Sequence, residues 1–192
     1  MLANFVTLLR LIFSTGFAIG VAWAVHENPM SGLTCFILIV VSIAEEFTDI
    51  FDGVIARRMG TVSEFGEVLD PLVDSISRLT IYFSLALAGW ISFVTPLVMT
   101  FRDIMVSYTR VIKSIVGGGM GARVSGKWKA IIQGTGMPFL VLFAWLRPFS
   151  DPSTISRLVI FTEVVVIAAT LWSLLDYLHG SLPMLKKLME KK

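Results

Sequence analysis

Four aspartates carry most of the chemistry that this sequence offers. Asp49 and Asp52 are three residues apart and Asp70 and Asp74 four, in a chain that is otherwise mostly apolar. On a helix, either spacing sets both carboxylates on one face, about a turn from each other. Two such helices facing each other would aim four anions at one point, and a self-repelling arrangement of that kind calls for cations. All-oxygen donors suit Mg²⁺, Mn²⁺ or Ca²⁺ better than zinc. Between the pairs, Gly53, Ala56 and Gly66 remove bulk where a ligand must approach the backbone. Arg57 adds a fixed fork of donors suited to phosphate oxygens. Metal-holding carboxylates, clearance and a phosphate-binding arginine together point to chemistry on a phosphate or diphosphate.

The elements that must position these groups are membrane helices. The chain has 192 residues, 55% of them hydrophobic, with a mean hydropathy of +0.80. A soluble domain of this length needs far fewer apolar residues, so the composition predicts an integral membrane protein. Six runs fit membrane helices, at about 5–25, 32–50, 64–90, 97–116, 128–146 and 154–178. The first could be a cleaved signal, with Ala22-Trp23-Ala24 as its small-residue site. Arg10 is its only early charge and no basic segment precedes it, so a retained helix is expected. Within it, Gly16 and Gly20 have the spacing that lets another helix come close. The second run carries Asp49 and Asp52 at its far end and meets no strong breaker before Arg57, so it should continue out of the membrane. The third carries Asp70 and Asp74, with Pro71 expected early, where a missing backbone donor costs least. No repeat or low-complexity segment divides the chain, and residues 1–192 read as one domain.

Six crossings put both termini on one side. That side holds Arg57, Arg58, Lys113, Arg123, Lys127, Lys129 and the four tail lysines, whereas the other holds only Arg147 and Arg157. The bias predicts a cytoplasmic (inner) membrane protein with both termini and the aspartates facing the cytoplasm. Arg102 and Asp103, adjacent in the fourth run, read as a structural ion pair inside the membrane. Cys35 is the only cysteine, which excludes an intrachain disulfide. No basic stripe interleaved with aromatics suggests a nucleic-acid partner.

Read from Asp49 to Asp74, the pattern D-x2-D-G-x2-A-R-x8-G-x3-D-x3-D resembles in full the signature of the CDP-alcohol phosphotransferase family. Weaker likeness extends over Asn4-Phe5-Val6-Thr7-Leu8-Leu9-Arg10, Leu69-Asp70-Pro71, Ser125-Gly126-Lys127-Trp128-Lys129 with Gln133, and residues 170–178. The resemblance implies an all-α membrane fold of six helices, with the active site at the cytoplasmic membrane boundary. It also implies transfer of a phosphoalcohol group from a CDP-linked donor to a second alcohol, releasing CMP. Carried over by position, Asp49, Asp52 and Asp70 are implied as metal ligands. Asp74 completes a site for two divalent cations, Mg²⁺ or Mn²⁺, and is the implied base, so that Asp70 and Asp74 stand closest to catalysis. Gly53, Ala56, Arg57 and Gly66, with Asn4 and Thr7, are implied to line the CDP and diphosphate pocket.

The outer segments resemble the branch that joins CDP-diacylglycerol to glycerol 3-phosphate, and family members resemble homodimers embedded among membrane lipids. Inositol phosphate, serine and phosphatidylglycerol stand as alternative acceptors, the first because residues 101–110 have some likeness to inositol-phosphate users. Two positions depart from the branch: Ser75 replaces a common lysine, and Glu45 and Glu46 stand where small residues are usual. An acceptor phosphate needs cations of its own, from helices other than the second and third. Arg110, Lys127 and Lys129 meet that condition, with Arg123 nearby in a glycine-rich loop. The competing reading makes them anchors for anionic lipid headgroups. Other classes fit less well. An intramembrane prenyltransferase would separate its two aspartate motifs by more helices, and a divalent-cation transporter would not need Gly53, Ala56, Arg57 and Gly66 at fixed offsets.

Overall fold

The computed structural model describes the backbone of residues 2–27, 29–59, 64–115 and 123–182, and the side chains of residues 9–27, 29–48, 70–112 and 123–182. Within it the chain forms α1 (Leu2–His26), α2 (Gly32–Met59), α3 (Glu64–Leu87), α4 (Val94–Ile115), α5 (Val124–Leu146) and α6 (Pro152–His179). Among the described residues, α1, α5 and α6 contain stretches long and apolar enough to cross a membrane. The other three helices hold most of the described charges. As the sequence suggests, α2 continues beyond residue 50, to Met59.

The helices pack as a ring in the order α1, α2, α5, α6, α4, α3 and back to α1, with α3 and α5 also touching across the middle. One end of the ring is apolar. Phe17 and Val21 of α1, Cys35 and Leu38 of α2, Ile81, Tyr82 and Leu85 of α3, and Met137, Leu140 and Val141 of α5 form its core. Gly20 allows the close approach of α1 to α2, since a Cβ there would stand 2.9 Å from Leu38 Cδ2; Gly16 has nothing within 4 Å. Only one member of the expected glycine pair therefore serves a contact.

At that end the turns are tied down by polar groups. α3 stops where Gly89 takes a φ of +71°, with Trp90 N–H bonded to Leu85 O and Gly89 N–H to Ala86 O at 3.0 Å each. This double bond pattern around a left-handed glycine closes a helix. Arg147, at the end of α5, donates to Gly89 O and Trp90 O. Glu163 of α6 accepts from Ser92 N and Thr95 Oγ1 at 2.7 Å. The carboxylate of Glu27 bridges α1 to α2 by accepting from Trp23 Nε1, Ser31 N and Thr34 Oγ1. Those bonds, Ser31 N–H foremost, hold its pKa below the ordinary carboxylate value. Asp151 caps α6 by accepting from Thr154 N at 2.9 Å, with Pro152 opening the helix.

α3 starts at Glu64 as expected, but that start does not leave Pro71 where a missing backbone donor is free. The proline lies two turns into α3, beyond the first turn, so the helix continues past a residue with no N–H to give. α5 begins at Val124, four residues before the predicted run, and buries Ser125 and Lys129 in its first turns, bonded to Asp176 and Asp103.

Candidate active site

The opposite end of the ring is built from charge. The carboxylates of Asp70 and Asp74, a turn apart on α3, are both half-buried. Arg10 of α1, 3% exposed, forms an ion pair with Asp74. Four residues after Asp74, Arg78 donates through Nη2 to Glu46 Oε1 of α2 at 2.9 Å. The Glu46 carboxyl lies where a Cβ on Gly134 of α5 would stand, so that glycine makes room for it. Glu46 thus joins three helices, paired to α3 and seated against α5.

The Glu46–Arg78 pair also fixes a register. The apolar core joins the start of α2 to the end of α3, so the two helices run antiparallel. Moving from the pair toward the charged end, at about 1.5 Å per residue, Asp49 lies ~4.5 Å beyond Glu46 and Asp74 ~6 Å beyond Arg78. The two aspartate pairs are therefore at one level of the bundle. Among the described residues no three candidate ligands converge; the side chains of Asp49 and Asp52 lie outside those residues. The helix register and the all-carboxylate donor set fit a hard divalent cation. The side chains of Asn4, Thr7, Gly53, Ala56, Arg57 and Gly66, and the glycine-rich loop, also fall outside the described residues.

Beside Asp74 opens a cavity of about 210 Å³, walled by α3, α4, α5 and α6. Six basic side chains line it (Arg78, Arg102, Arg110, Arg123, Lys127 and Lys129) against two acidic ones, Asp74 and Asp103. All four residues singled out for an acceptor phosphate are thus brought together, and with Asp74. Ser75 lines the same space, whose positive charge comes from neighbouring helices in place of a lysine there.

The cations are held in different ways. Asp103 Oδ1 accepts from Arg102 Nη1 at 2.8 Å and from Lys129 Nζ at 2.9 Å, and Arg102 Nη2 donates to Ser173 Oγ at 2.6 Å. The expected Arg102–Asp103 pair exists, with Lys129 as its third member. Lys129 is 6% exposed, which rules it out as a headgroup anchor. Arg123 is fixed to α6 by its Nε on Asp176 Oδ2 at 3.0 Å and its Nη1 on Asp176 O at 2.8 Å. Ser125 Oγ also donates to Asp176 Oδ2. Arg110 donates to Tyr177 Oη, and Lys127 is exposed. The sequence reading missed Arg78 and Tyr177. Arg78 had a signal, a charge inside a predicted membrane helix on the face of Asp74; Tyr177 had only its place in the similar stretch 170–178, its residue type being one aromatic in an apolar run.

An all-helical membrane protein with paired aspartates beside a cavity dominated by basic groups is a membrane-embedded enzyme for anionic substrates. The chain belongs to the CDP-alcohol phosphatidyltransferase family, whose model matches residues 1–172. A relative from Mycobacterium tuberculosis named a probable phosphatidylglycerophosphate synthase is 27% identical over 182 residues, covering 94% of this chain and 81% of its own. One from Haemophilus influenzae, named a CDP-diacylglycerol–glycerol-3-phosphate 3-phosphatidyltransferase, is 26% identical over 180 residues, covering 91% and 90%. An archaetidylinositol phosphate synthase from Pyrococcus horikoshii is 37% identical, but over 73 residues, 38% of this chain and 39% of the relative.

Proposed function

We propose that the protein transfers the phosphatidyl group of CDP-diacylglycerol to glycerol 3-phosphate, giving phosphatidylglycerophosphate and CMP. The observation that carries this reading is the basic cavity beside Asp74. A small acceptor bearing its own phosphate needs such a pocket, and serine does not. The full-length likeness to relatives named for glycerol 3-phosphate favours that acceptor over inositol phosphate, for which the likeness covers a minor part of the chain.

In the reaction the acceptor's phosphate rests among Arg110, Arg123, Lys127 and Lys129, and its hydroxyl faces Asp74. The hydroxyl oxygen bonds to the phosphatidyl phosphorus as the bond to the CMP oxygen breaks. Asp74 takes the hydroxyl proton. Asp49, Asp52, Asp70 and Asp74 would hold two divalent cations, Mg²⁺ or Mn²⁺, which when bound neutralise charge on the diphosphate. Gly53, Ala56, Arg57, Gly66, Asn4 and Thr7 bind the CDP portion. The protein lies in the cytoplasmic membrane as a homodimer of six-span chains, with both termini and the aspartates cytoplasmic, in keeping with the charge bias of its loops.

A panel of acceptors tests the reading. Purified protein with CDP-diacylglycerol should release CMP with glycerol 3-phosphate, and far less with inositol phosphate, serine or phosphatidylglycerol. Preference for any other acceptor refutes it.

A further inference from the structure

The cavity contains one neutral group whose hydrogen bonds define what it has left to offer. Tyr177 of α6 is 2% exposed and lies near two guanidinium groups, with Arg102 Cζ 5.3 Å and Arg110 Cζ 5.6 Å from its ring centre. Both are within the range in which a cation is attracted to an aromatic face. Its hydroxyl accepts from Arg110 Nη2 at 3.2 Å and from the backbone N–H of Arg123 at 3.3 Å. A phenol has two lone pairs and one proton. Both lone pairs are engaged, and among the described residues no group accepts the proton. Two incoming donors also polarise the O–H bond and strengthen it as a donor.

From this arrangement we infer that Tyr177 is a substrate-contacting residue, donating its hydroxyl proton in a hydrogen bond to a phosphate oxygen of the acceptor. The inference rests on the assignment of the cavity to the acceptor and adds a specific recognition element to it. Lysine and arginine attract any anion. A fixed neutral donor, held in place by the arginine that attracts the anion, adds direction to that attraction. It also explains why the hydroxyl is presented to the cavity with its accepting capacity already used.

The test uses the full-length protein in neutral detergent micelles, where no anionic headgroup competes, with Tyr177→Phe and Arg110→Ala as variants. The Phe variant keeps the ring near the two arginines and loses only the hydroxyl. It should raise the KM for glycerol 3-phosphate about three- to tenfold, the usual effect of losing one hydrogen bond. The inhibition constant of inorganic phosphate should rise by a similar factor. The KM for CDP-diacylglycerol and the thermal midpoint should stay unchanged. If Arg110→Ala weakens acceptor and phosphate binding while Tyr177→Phe leaves both intact, the cavity assignment stands and the role of Tyr177 is overturned. If neither variant changes them, the cavity assignment fails and takes this inference with it. A Phe variant that loses stability and binds both substrates worse has a structural tyrosine, which also overturns the inference.

Discussion

Glu46 Oε1 and Arg78 Nη2 meet at 2.9 Å in the centre of the bundle, and their contact sets how far α2 is slid along α3. The pair is largely buried, and it lies one turn from an aspartate on each helix. Removing either residue breaks a largely buried ion pair among packed helices, which typically costs about 3–5 kcal/mol.

Glu46→Ala should therefore lower the thermal midpoint sharply, by more than the double variant Glu46→Ala/Arg78→Leu. Gly134→Ala should be harmful alone, since its Cβ would fall on the Glu46 carboxyl, and much less so in the Glu46→Ala background. A double-mutant cycle of melting midpoints in detergent measures this coupling. Strict additivity would refute the contact.

The proposed metal role is tested by Asp49→Asn and Asp70→Asn. Each should abolish turnover while the protein stays folded, and chelator should abolish wild-type activity until Mg²⁺ or Mn²⁺ is restored. Full activity in excess chelator, read as CMP release, would exclude the role.

Arg110 and Lys129 should separate on mutation. Arg110→Ala should raise the acceptor KM at least tenfold with little change in that for CDP-diacylglycerol. Lys129→Ala should do the same and also lower the melting midpoint, because Asp103 then keeps only Arg102 as a buried cationic partner. Equal stability of the two variants would count against the assigned Lys129–Asp103 bond.

Asp151 should give the fold an acid-sensitive contribution. Bonds from Ser153 and then Thr154 hold its pKa below the ordinary value, so the capping carboxylate stabilises the fold above its unfolded pKa. That contribution is lost as pH falls through the lower folded value. Asp151→Asn keeps an oxygen for Thr154 N–H and should remove this part of the pH dependence, measured as melting midpoint between pH 2 and 6.

Local pattern was enough to find what local pattern determines. The aspartate spacings, the continuation of α2 beyond residue 50 and the six helices follow from composition and periodicity over short windows. The basic groups that line the cavity could be named because charge in an apolar chain is conspicuous. How each is held could not be read, since this depends on which helices are neighbours. Tyr177 and Arg110 are 67 residues apart, and only the placing of α6 against α4 joins them. The start of α3 at Glu64 was legible too, and counting from it places Pro71 eighth in the helix, past the first turn where a missing donor costs least.

The order of helices around the ring also bears on how the molecule is made. The first four helices, taken as α2, α1, α3, α4, form an open arc, and the hairpin of α5 and α6 is the clasp that joins its two ends. Until that clasp arrives, Asp103 lacks Lys129 and Arg102 lacks Ser173, and the cavity beside Asp74 lacks two of its four walls. A nascent chain emerging from its N-terminus therefore has its signature aspartates long before it has the basic cavity beside them. The closed ring of charge comes only with the last hairpin.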